Sequence, residues 1–172
     1  MRRERVEDLY DEYGARVLAF ARRRTDPATA EEITVDVFVV AWRRTADVPD
    51  VEPLLWLYGV ARRLLANAHR AQRRREALLT ALKGIRPPAT HDVREPGPLL
   101  EALAALGKAD REVLMLSAWE DLDARQIAAV LGRSEPAVHQ RLHRARQRLR
   151  AQLERRTPHH CAAAPKEATA RD

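Results

Sequence analysis

The chain has 172 residues, which is enough for one helical domain or two small ones. Its single cysteine, Cys161, excludes an internal disulfide and favours the cytoplasm, and no apolar run suggests a signal peptide or a membrane span. The net charge of +6 is unevenly spread, because residues 62–86 hold eight basic residues against one acid and residues 133–156 hold eight against two. Two separate basic stretches favour two contacts with a polyanion.

Apolar residues at three- and four-residue spacing predict three helices in the first half of the chain. The first covers residues 6–24 and the second covers 28–44, after Asp26 as N-cap and a proline at the first helical position. The third runs from residue 54 to about residue 79, with arginines on its outer faces. Between the second and third helices, residues 45–53 contain two prolines and three acids and are predicted to form a loop.

The aromatic and acidic residues of these helices leave alternatives open. Tyr10 shares the apolar spacing of the first helix, and Phe38 and Trp42 lie alongside the inner face of the second. Trp56 suits core packing more than stacking against an unpaired base. Asp36, among apolar neighbours, is either a surface carboxylate or a contact for a partner.

Periodicity disappears after the third helix, where prolines and glycines predict an interdomain linker. We therefore predict an all-α protein with two small helical domains joined by a flexible linker. The domains cover residues 1–80 and 99–156, the linker covers 81–98, and residues 157–172 form a tail expected to be disordered.

A helix-turn-helix is predicted in the second half, after short helices at residues 99–106 and 110–119. Asp123 and Gln126 have the spacing of a capping box, and Gly132 is placed to end that helix. Ser134 then caps a last helix, whose apolar stripe consists of Val138, Leu142, Ala145 and Leu149.

The spacing Ala128, Gly132, Val138 is typical of a helix-turn-helix, since a small residue, a turn glycine and a branched apolar residue let two helices pack closely. The polar face of the last helix is rich in arginine, which suits insertion into a DNA groove. A merely solvated basic helix is the alternative.

No phosphate-binding glycine loop and no nucleophile–base pattern occur, so we predict neither an enzyme nor a cofactor. His159, His160 and Cys161 in the tail have no second ligand cluster at zinc spacing, so no metal site is predicted.

Three segments carry a family resemblance. AEEITVDVFVVAW (residues 30–42) resembles AEDVVQETFLRAW, and WLYGVARRLLANAHRAQRRR (56–75) resembles WLxxIARNxxxDxxRRxRR. REVLMLSAWEDLDARQIAAVLGRSEPAVHQRLHRARQRLR (111–150) resembles REVLLLRxxEGLSxxEIAxxLGxxxGTVxSRLHRARxxLR. In this order they resemble the extracytoplasmic-function (ECF) sigma factors of bacterial RNA polymerase, over about residues 9–153.

The resemblance implies a promoter-specificity subunit that binds the polymerase core and has no small-molecule substrate. The second helix would contact the clamp coiled coil of the largest subunit, and the chain would also contact the flap of the second-largest subunit. The polymerase-binding residues would be Glu32, Val35 and Asp36. Members of this group are often held inactive by an anti-sigma factor, although nothing in this sequence identifies one.

The resemblance also implies two DNA contacts. The third helix would hold the −10 element and help to open it, through Arg62, Arg63, Asn67, Arg70, Arg73 and Arg74. The loop at residues 45–53 would capture a flipped-out base. The last helix would enter the major groove of the −35 element, using Ser134, His139, Gln140, Arg141, His143 and Arg144.

The sequence departs from the usual pattern of the group at several of these positions. Val35 replaces a glutamine, Arg63 replaces an asparagine, and Asn67 replaces an aspartate. Residues 135–137, Glu-Pro-Ala, replace Val-Gly-Thr at the start of the last helix, so the preferred DNA sequence is expected to differ.

Two other function classes remain open from the residues alone. The first is a dimeric helix-turn-helix repressor or response regulator that acts without polymerase, which would not need the arginine-rich third helix. The second is an interaction protein whose basic helices bind an acidic partner. Binding to core polymerase and specific transcription initiation would distinguish the sigma factor from both.

Overall fold

The computed structural model describes residues 2–83 and 97–156, and every regular element in these ranges is helical. The predicted all-α fold is therefore confirmed. The elements are α1 (Arg2–Arg22), α2 (Pro27–Arg43), a 3₁₀ turn (Thr45–Asp47), α3 (Pro53–Lys83), α4 (Pro98–Ala105), α5 (Lys108–Ala118), α6 (Ala124–Leu131) and α7 (Glu135–Arg156). Most of the predicted linker and the whole predicted tail lie outside the described residues, and the predicted domain limits stay predictions.

The first half, residues 2–83, is a three-helix unit built around the apolar faces of α1, α2 and α3. The rings of Phe20 and Tyr58 stack at its centre, with their centroids 4.6 Å apart. Asp26 caps α2 as predicted, because its carboxylate accepts a hydrogen bond of 3.0 Å from the Thr29 backbone N–H. The same bond holds the pKa of the Asp26 carboxyl below its usual value.

The second half, residues 97–156, packs α4, α5 and α6 against α7. Arg111 joins two of these helices, because its guanidinium donates to three backbone carbonyls at the end of α4. The distances are 2.9 Å to Leu103 O, 2.5 Å to Ala104 O and 3.2 Å to Leu106 O. These carbonyls lie at the C-terminal end of α4, where few backbone donors remain and the helix dipole is negative, so a charged donor is favourable there.

The turn between α6 and α7 has the predicted geometry. Asp123 and Gln126 form a reciprocal capping box at the start of α6, with bonds of 2.7 and 3.1 Å. Gly132 ends α6 in the left-handed region, with φ of 62°. The chain then enters α7 at Glu135, directly after Ser134.

Replacing the turn glycine tests how much this geometry contributes. We expect Gly132→Ala to lower the free energy of unfolding by about 1 kcal/mol, because a Cβ makes the left-handed conformation unfavourable. Gly132→Asn is the matched control, since asparagine adopts the left-handed conformation more readily than alanine and open space surrounds this position. Urea unfolding of both variants measures the difference in their free energies of unfolding. Equal values would show that the left-handed conformation at residue 132 does not destabilise the alanine variant.

The two halves are packed together rather than separate. Their buried apolar side chains form one continuous cluster that extends from α1 to α7. Helices α3 and α6 make the central contact, and a Cβ added at the buried Gly59 would lie 3.7 Å from the Val130 carbonyl oxygen. The two halves therefore share one apolar core within the described residues, and this core fixes their relative position.

Two aromatic residues predicted at inner faces are exposed, and that part of the prediction is wrong. The side chain of Tyr10 is 53% exposed and that of Trp42 is 43% exposed. Tyr10 packs edge-on against Phe38, with ring centroids 5.0 Å apart, at the border of the core.

No helix in the described ranges combines the length and apolar character that a membrane span requires.

Candidate nucleic-acid interface

Helix α7 has the buried edge and the exposed polar face expected of a recognition helix. Val138, Leu142 and Ala145 are buried, which confirms the predicted stripe, and Leu149 is partly buried. Most of the predicted −35 residues are exposed, namely Ser134, His139, Gln140, His143 and Arg144, whereas Arg141 is partly buried. The buried edge packs against the other helices of the second half, and most of the polar face is exposed to solvent.

A buried carboxylate explains the position of Arg141. Asp110, at the start of α5, is 4% exposed and accepts a hydrogen bond of 3.1 Å from Arg141 and a second from Arg148. Arg141 is therefore held on the protein side of α7 by an ion pair. The role of Asp110 could not be predicted from the sequence, because its two partners follow it by 31 and 38 residues.

The exposed histidines of α7 form local contacts on one face of the helix. His139 Nε2 lies 3.5 Å from Glu135 Oε1, and His143 Nε2 lies 3.0 Å from the side-chain amide of Gln147. Both pairs have the spacing of neighbours one helical turn apart. Neither histidine lines the cleft between α3 and α7.

Helix α3 divides the predicted −10 residues between two faces. Arg62, Arg70 and Arg73 line a cleft between the two halves, whereas Arg63, Asn67 and Arg74 lie outside it. Arg63, Asn67 and Arg74 are exposed on the outer face, and Arg70 at the border donates a hydrogen bond to the Asn67 side chain.

The loop before α3 is held against α1 by Arg5. Its guanidinium donates hydrogen bonds to Val48 O and to the Asp50 carboxylate, both at 2.7 Å.

The cleft brings together parts of the two predicted DNA-binding sets. It has a volume of about 770 Å³. One wall is formed by α3 and the two residues after α1, and the other by α5, the α6–α7 turn and the first half of α7. Gln140, Arg141 and Arg144 of α7 share it with Arg62 and Arg70 of α3. In this arrangement Gln140, Arg141 and Arg144 face α3, whereas a helix that reads the major groove needs its polar face clear of protein.

An ion-pair cluster holds the two halves in this arrangement. The side chain of Glu120, after α5, is only 2% exposed and accepts from Arg23 at 2.6 Å and from Arg24 at 3.1 Å. The Arg24 side chain is 6% exposed and lies over the Phe20 ring, 3.6 Å from its centroid. We call Arg23, Arg24 and Glu120 the buried clasp.

A second contact between the halves lies at the surface. Glu52, just before α3, accepts from Gln126 at 2.6 Å and from Arg125 at 3.0 Å. These bonds hold the pKa of the Glu52 carboxyl below its usual value, with Gln126 as the larger cause. Because a lowered carboxyl pKa favours the ionised form, this contact is present at neutral pH and weakens as the pH falls through that pKa.

The predicted polymerase-binding residues share one exposed face of α2. Glu32, Val35 and Asp36 are all exposed, and their spacing places them within one helical turn of each other. The exposed Val39 and Trp42 continue this face toward the end of the helix. Trp42 was predicted to lie beside the inner face of α2, so this apolar extension of the outer face was not predicted from the sequence.

The described residues contain no group of three or more metal-ligating side chains that could hold an ion. His159, His160 and Cys161 lie outside the described ranges.

Trp56 is partly buried and packs against the apolar cluster, which agrees with the core position favoured from the sequence.

Two family descriptions match the chain. Residues 9–75 match "Sigma-70 region 2" and residues 97–149 match "Sigma-70, region 4". The first match covers α1 beyond its opening turns, α2 and most of α3, and the second covers α4 to the middle of α7. Both predicted DNA-binding helices therefore lie within matched regions.

Several bacterial proteins are similar in sequence. The RNA polymerase sigma factor CnrH of Cupriavidus metallidurans is 32% identical over 162 residues, which cover 85% of each chain. The sigma factor CarQ of Myxococcus xanthus is 31% identical over 153 residues, which cover 86% of this chain and 88% of CarQ. The probable sigma factor RfaY of Xanthomonas campestris is 33% identical over 139 residues, but this match spans 74% of this chain and only 35% of RfaY.

Two solved structures have a similar fold. The sigma factor RpoE of Bartonella quintana, in complex with the anti-sigma factor NepR, has a TM-score of 0.62 and 22% identity, over 86% of this chain and 98% of RpoE. CnrH in complex with the cytosolic domain of CnrY has a TM-score of 0.62 and 24% identity, over 90% of this chain and 91% of CnrH.

Proposed function

Because the chain belongs to the ECF group of sigma-70-type sigma factors, which are promoter-recognising subunits of RNA polymerase, we propose that three of its surfaces divide this task. The outer face of α2 binds the polymerase core, α3 binds the −10 element and helps to open it, and α7 reads the −35 element. The observation that carries this proposal is the position of both arginine-rich helices within the two matched sigma regions. No residue in the proposal acts as a catalyst.

The polymerase contact is supported by the chemistry of α2. Its exposed face combines the carboxylates of Glu32 and Asp36 with the apolar side chain of Val35, which is 61% exposed. A surface of this kind suits a basic and partly apolar partner helix, as in a coiled coil. We propose that the clamp coiled coil of the largest polymerase subunit binds here, and that the second half contacts the flap of the second-largest subunit.

The −10 contact is supported by the outer face of α3. Arg63, Asn67 and Arg74 are exposed there, and guanidinium groups bind phosphate oxygens with paired hydrogen bonds. We propose that this face holds the backbone of the separated strand, with the base captured by the loop at residues 45–53. Arg62 and Arg73 join this surface when the cleft opens.

The −35 contact requires the two halves to separate. The exposed His139, His143 and Arg144 suit base edges and phosphates in a major groove, but Gln140 and Arg144 face α3 across the cleft in the packed arrangement. We propose that binding to the polymerase core provides the energy for opening, because only an open chain can contact two promoter elements at once.

Reconstitution tests the function directly. Purified chain is added to core polymerase, the complex is isolated, and bound genomic fragments are sequenced and used as transcription templates. We expect co-elution with the core and initiation from a defined set of promoters that the core alone does not use. A chain that binds DNA but never the core would instead be a polymerase-independent DNA-binding protein.

A substitution on α7 tests base reading. We expect Arg144→Ala to weaken binding of the holoenzyme to its promoter by about 1–3 kcal/mol and to relax the preference at one base pair. Arg146→Ala is the matched control, because Arg146 is exposed on the same helix but does not line the cleft. A loss that is equal for all DNA sequences would assign Arg144 to phosphate contact.

A further inference from the structure

The cleft between the two halves carries an unbalanced positive charge. Ten of its lining side chains are Arg or Lys, and Glu112 is its one carboxylate among the described residues. Both walls contribute, since five of these cations come from the first half and five from the second. Like charges that face each other across a closed space repel, so closure of the cleft favours the uptake of an anion.

Several of these cations are not neutralised by the protein. Arg23 and Arg24 are paired with Glu120, and Arg141 is paired with Asp110. No ion pair to a carboxylate within the described residues is made by five others that line the cleft, namely Arg62, Arg73, Lys108, Arg133 and Arg144. The unneutralised charge is therefore shared between α3 on one wall and α5, the α6–α7 turn and α7 on the other.

Buried donors in the cleft also lack acceptors. The Nε and Nη2 atoms of Arg24 have no hydrogen-bond partner, although its side chain is only 6% exposed. Its Nε lies 3.6 Å from Glu112 Oε1, which is also buried without a hydrogen-bond partner, so these two groups form an ion pair and Arg24 Nη2 is the donor left without an acceptor. The Nε atom of Arg62 is likewise buried without an acceptor. Since buried polar groups are nearly always satisfied, these donors point to an anion with several oxygens.

We propose that the cleft is a binding site for a small polyphosphate anion, with the chemistry of the phosphate chain of a nucleoside polyphosphate. Guanidinium groups recognise phosphate oxygens through charge-assisted paired hydrogen bonds. The volume of about 770 Å³ lies in the range of small-molecule sites. The phosphates bridge Arg62 and Arg73 of the first half to Lys108 and Arg133 of the second.

This site stabilises the packed arrangement of the two halves. An anion that contacts both walls binds only while the cleft is closed, so it shifts the population toward the closed form. Because Arg144 lines the cleft, the same anion excludes DNA from that part of α7. The ligand thus lowers promoter binding in proportion to its occupancy, without blocking the exposed face of α2.

Calorimetric titration with inorganic tripolyphosphate tests the site, at an ionic strength kept constant with KCl. ATP and GTP form a second arm, and sulfate is the control for non-specific binding. We expect one tripolyphosphate per chain and at least tenfold tighter binding than sulfate. Equal affinities of tripolyphosphate and the nucleotides indicate recognition of the phosphate chain alone, and tighter nucleotide binding indicates that the nucleoside also contributes.

Variants on each wall locate the bound anion. We expect Arg62→Gln and Arg133→Gln each to weaken tripolyphosphate binding at least tenfold. Arg75→Gln and Arg146→Gln, exposed on α3 and α7 but outside the cleft, change it less than twofold. Arg133 is exposed, so its replacement leaves the core intact even if Arg62→Gln is unstable. Equal losses in all four variants, or several anions per chain, would overturn the proposal.

A distance measurement tests the effect on closure. Spin labels at Ala28→Cys and Ala129→Cys, in a Cys161→Ser background, report the separation of the halves from exposed positions outside the cleft. We expect tripolyphosphate to narrow the distance distribution toward its short component, and sulfate to leave it unchanged. An unchanged distribution at saturating tripolyphosphate would contradict the bridging role. Neither readout uses polymerase or DNA, so the result is independent of the proposed function.

Discussion

Glu120→Ala is expected to separate the two halves of the chain. The substitution removes the acceptor that Arg23 and Arg24 share and leaves the Arg24 guanidinium buried, with Glu112 as its one remaining counter-charge. Removing one partner of a buried ion pair typically costs about 3–5 kcal/mol, because the other charge stays desolvated. Arg24 avoids this cost if the halves move apart and water reaches it. We therefore expect a longer distance between spin labels at Ala28→Cys and Ala129→Cys, in the Cys161→Ser background.

The surface contact between the halves provides the matched control. The Glu52 side chain is 32% exposed and that of Arg125 is 60% exposed, so solvent screens this pair and Glu52→Ala should cost far less than Glu120→Ala. We expect the label distance of Glu52→Ala to match that of the parent chain. An equal increase of the label distance in both variants would show that the buried clasp does not hold the two halves together more strongly than the surface contact does. Circular dichroism separates opening from unfolding, because separated halves keep their helices.

Asp36→Arg is expected to abolish most of the binding to the polymerase core. Reversing one charge in a complementary interface replaces an attraction with a repulsion and typically costs several kcal/mol. A loss of about 3 kcal/mol corresponds to a roughly hundredfold weaker complex. Binding of fluorescently labelled chain to core polymerase measures this loss. The fold should be unaffected, because Asp36 is exposed on α2.

The control for Asp36→Arg lies on the same helix. Glu31→Arg makes the same change of charge, but Glu31 pairs with Arg22 of α1 at 3.0 Å and so lies toward the neighbouring helix. We expect it to change core binding less than threefold. If both variants bind the core equally well, the polymerase contact lies elsewhere. If both lose binding together with their thermal transition, the cause is unfolding.

The local features of this protein could be predicted from the sequence because their partners are close in the chain. The capping box of Asp123 and Gln126, the N-cap Asp26 and the left-handed Gly132 all depend on neighbours within about one helical turn. The apolar stripe of α7 follows from helical periodicity in the same way. These features were enough to predict an all-α chain with a helix-turn-helix.

The contacts between distant segments could not be predicted in this way. Asp110 pairs with Arg141 and Arg148, and Glu120 pairs with Arg23 and Arg24 across nearly a hundred residues. The sequence contains many acids and arginines that could form such pairs, and only packing selects among them. The exposure of Trp42 was missed for a related reason, since helical spacing alone does not show how wide the covered face is.

The sequence by itself determined the helices, their caps, the turn and the family, because each depends on short-range chemistry or on motifs that survive as strings of residues. Only the tertiary structure decided how the two halves meet. The packing of α3 against α6 and the buried clasp turn parts of two basic faces toward one cleft, while the α2 face stays open. The physical reason is that burial and ion pairing between distant segments depend on geometry, which spacing along a chain does not contain.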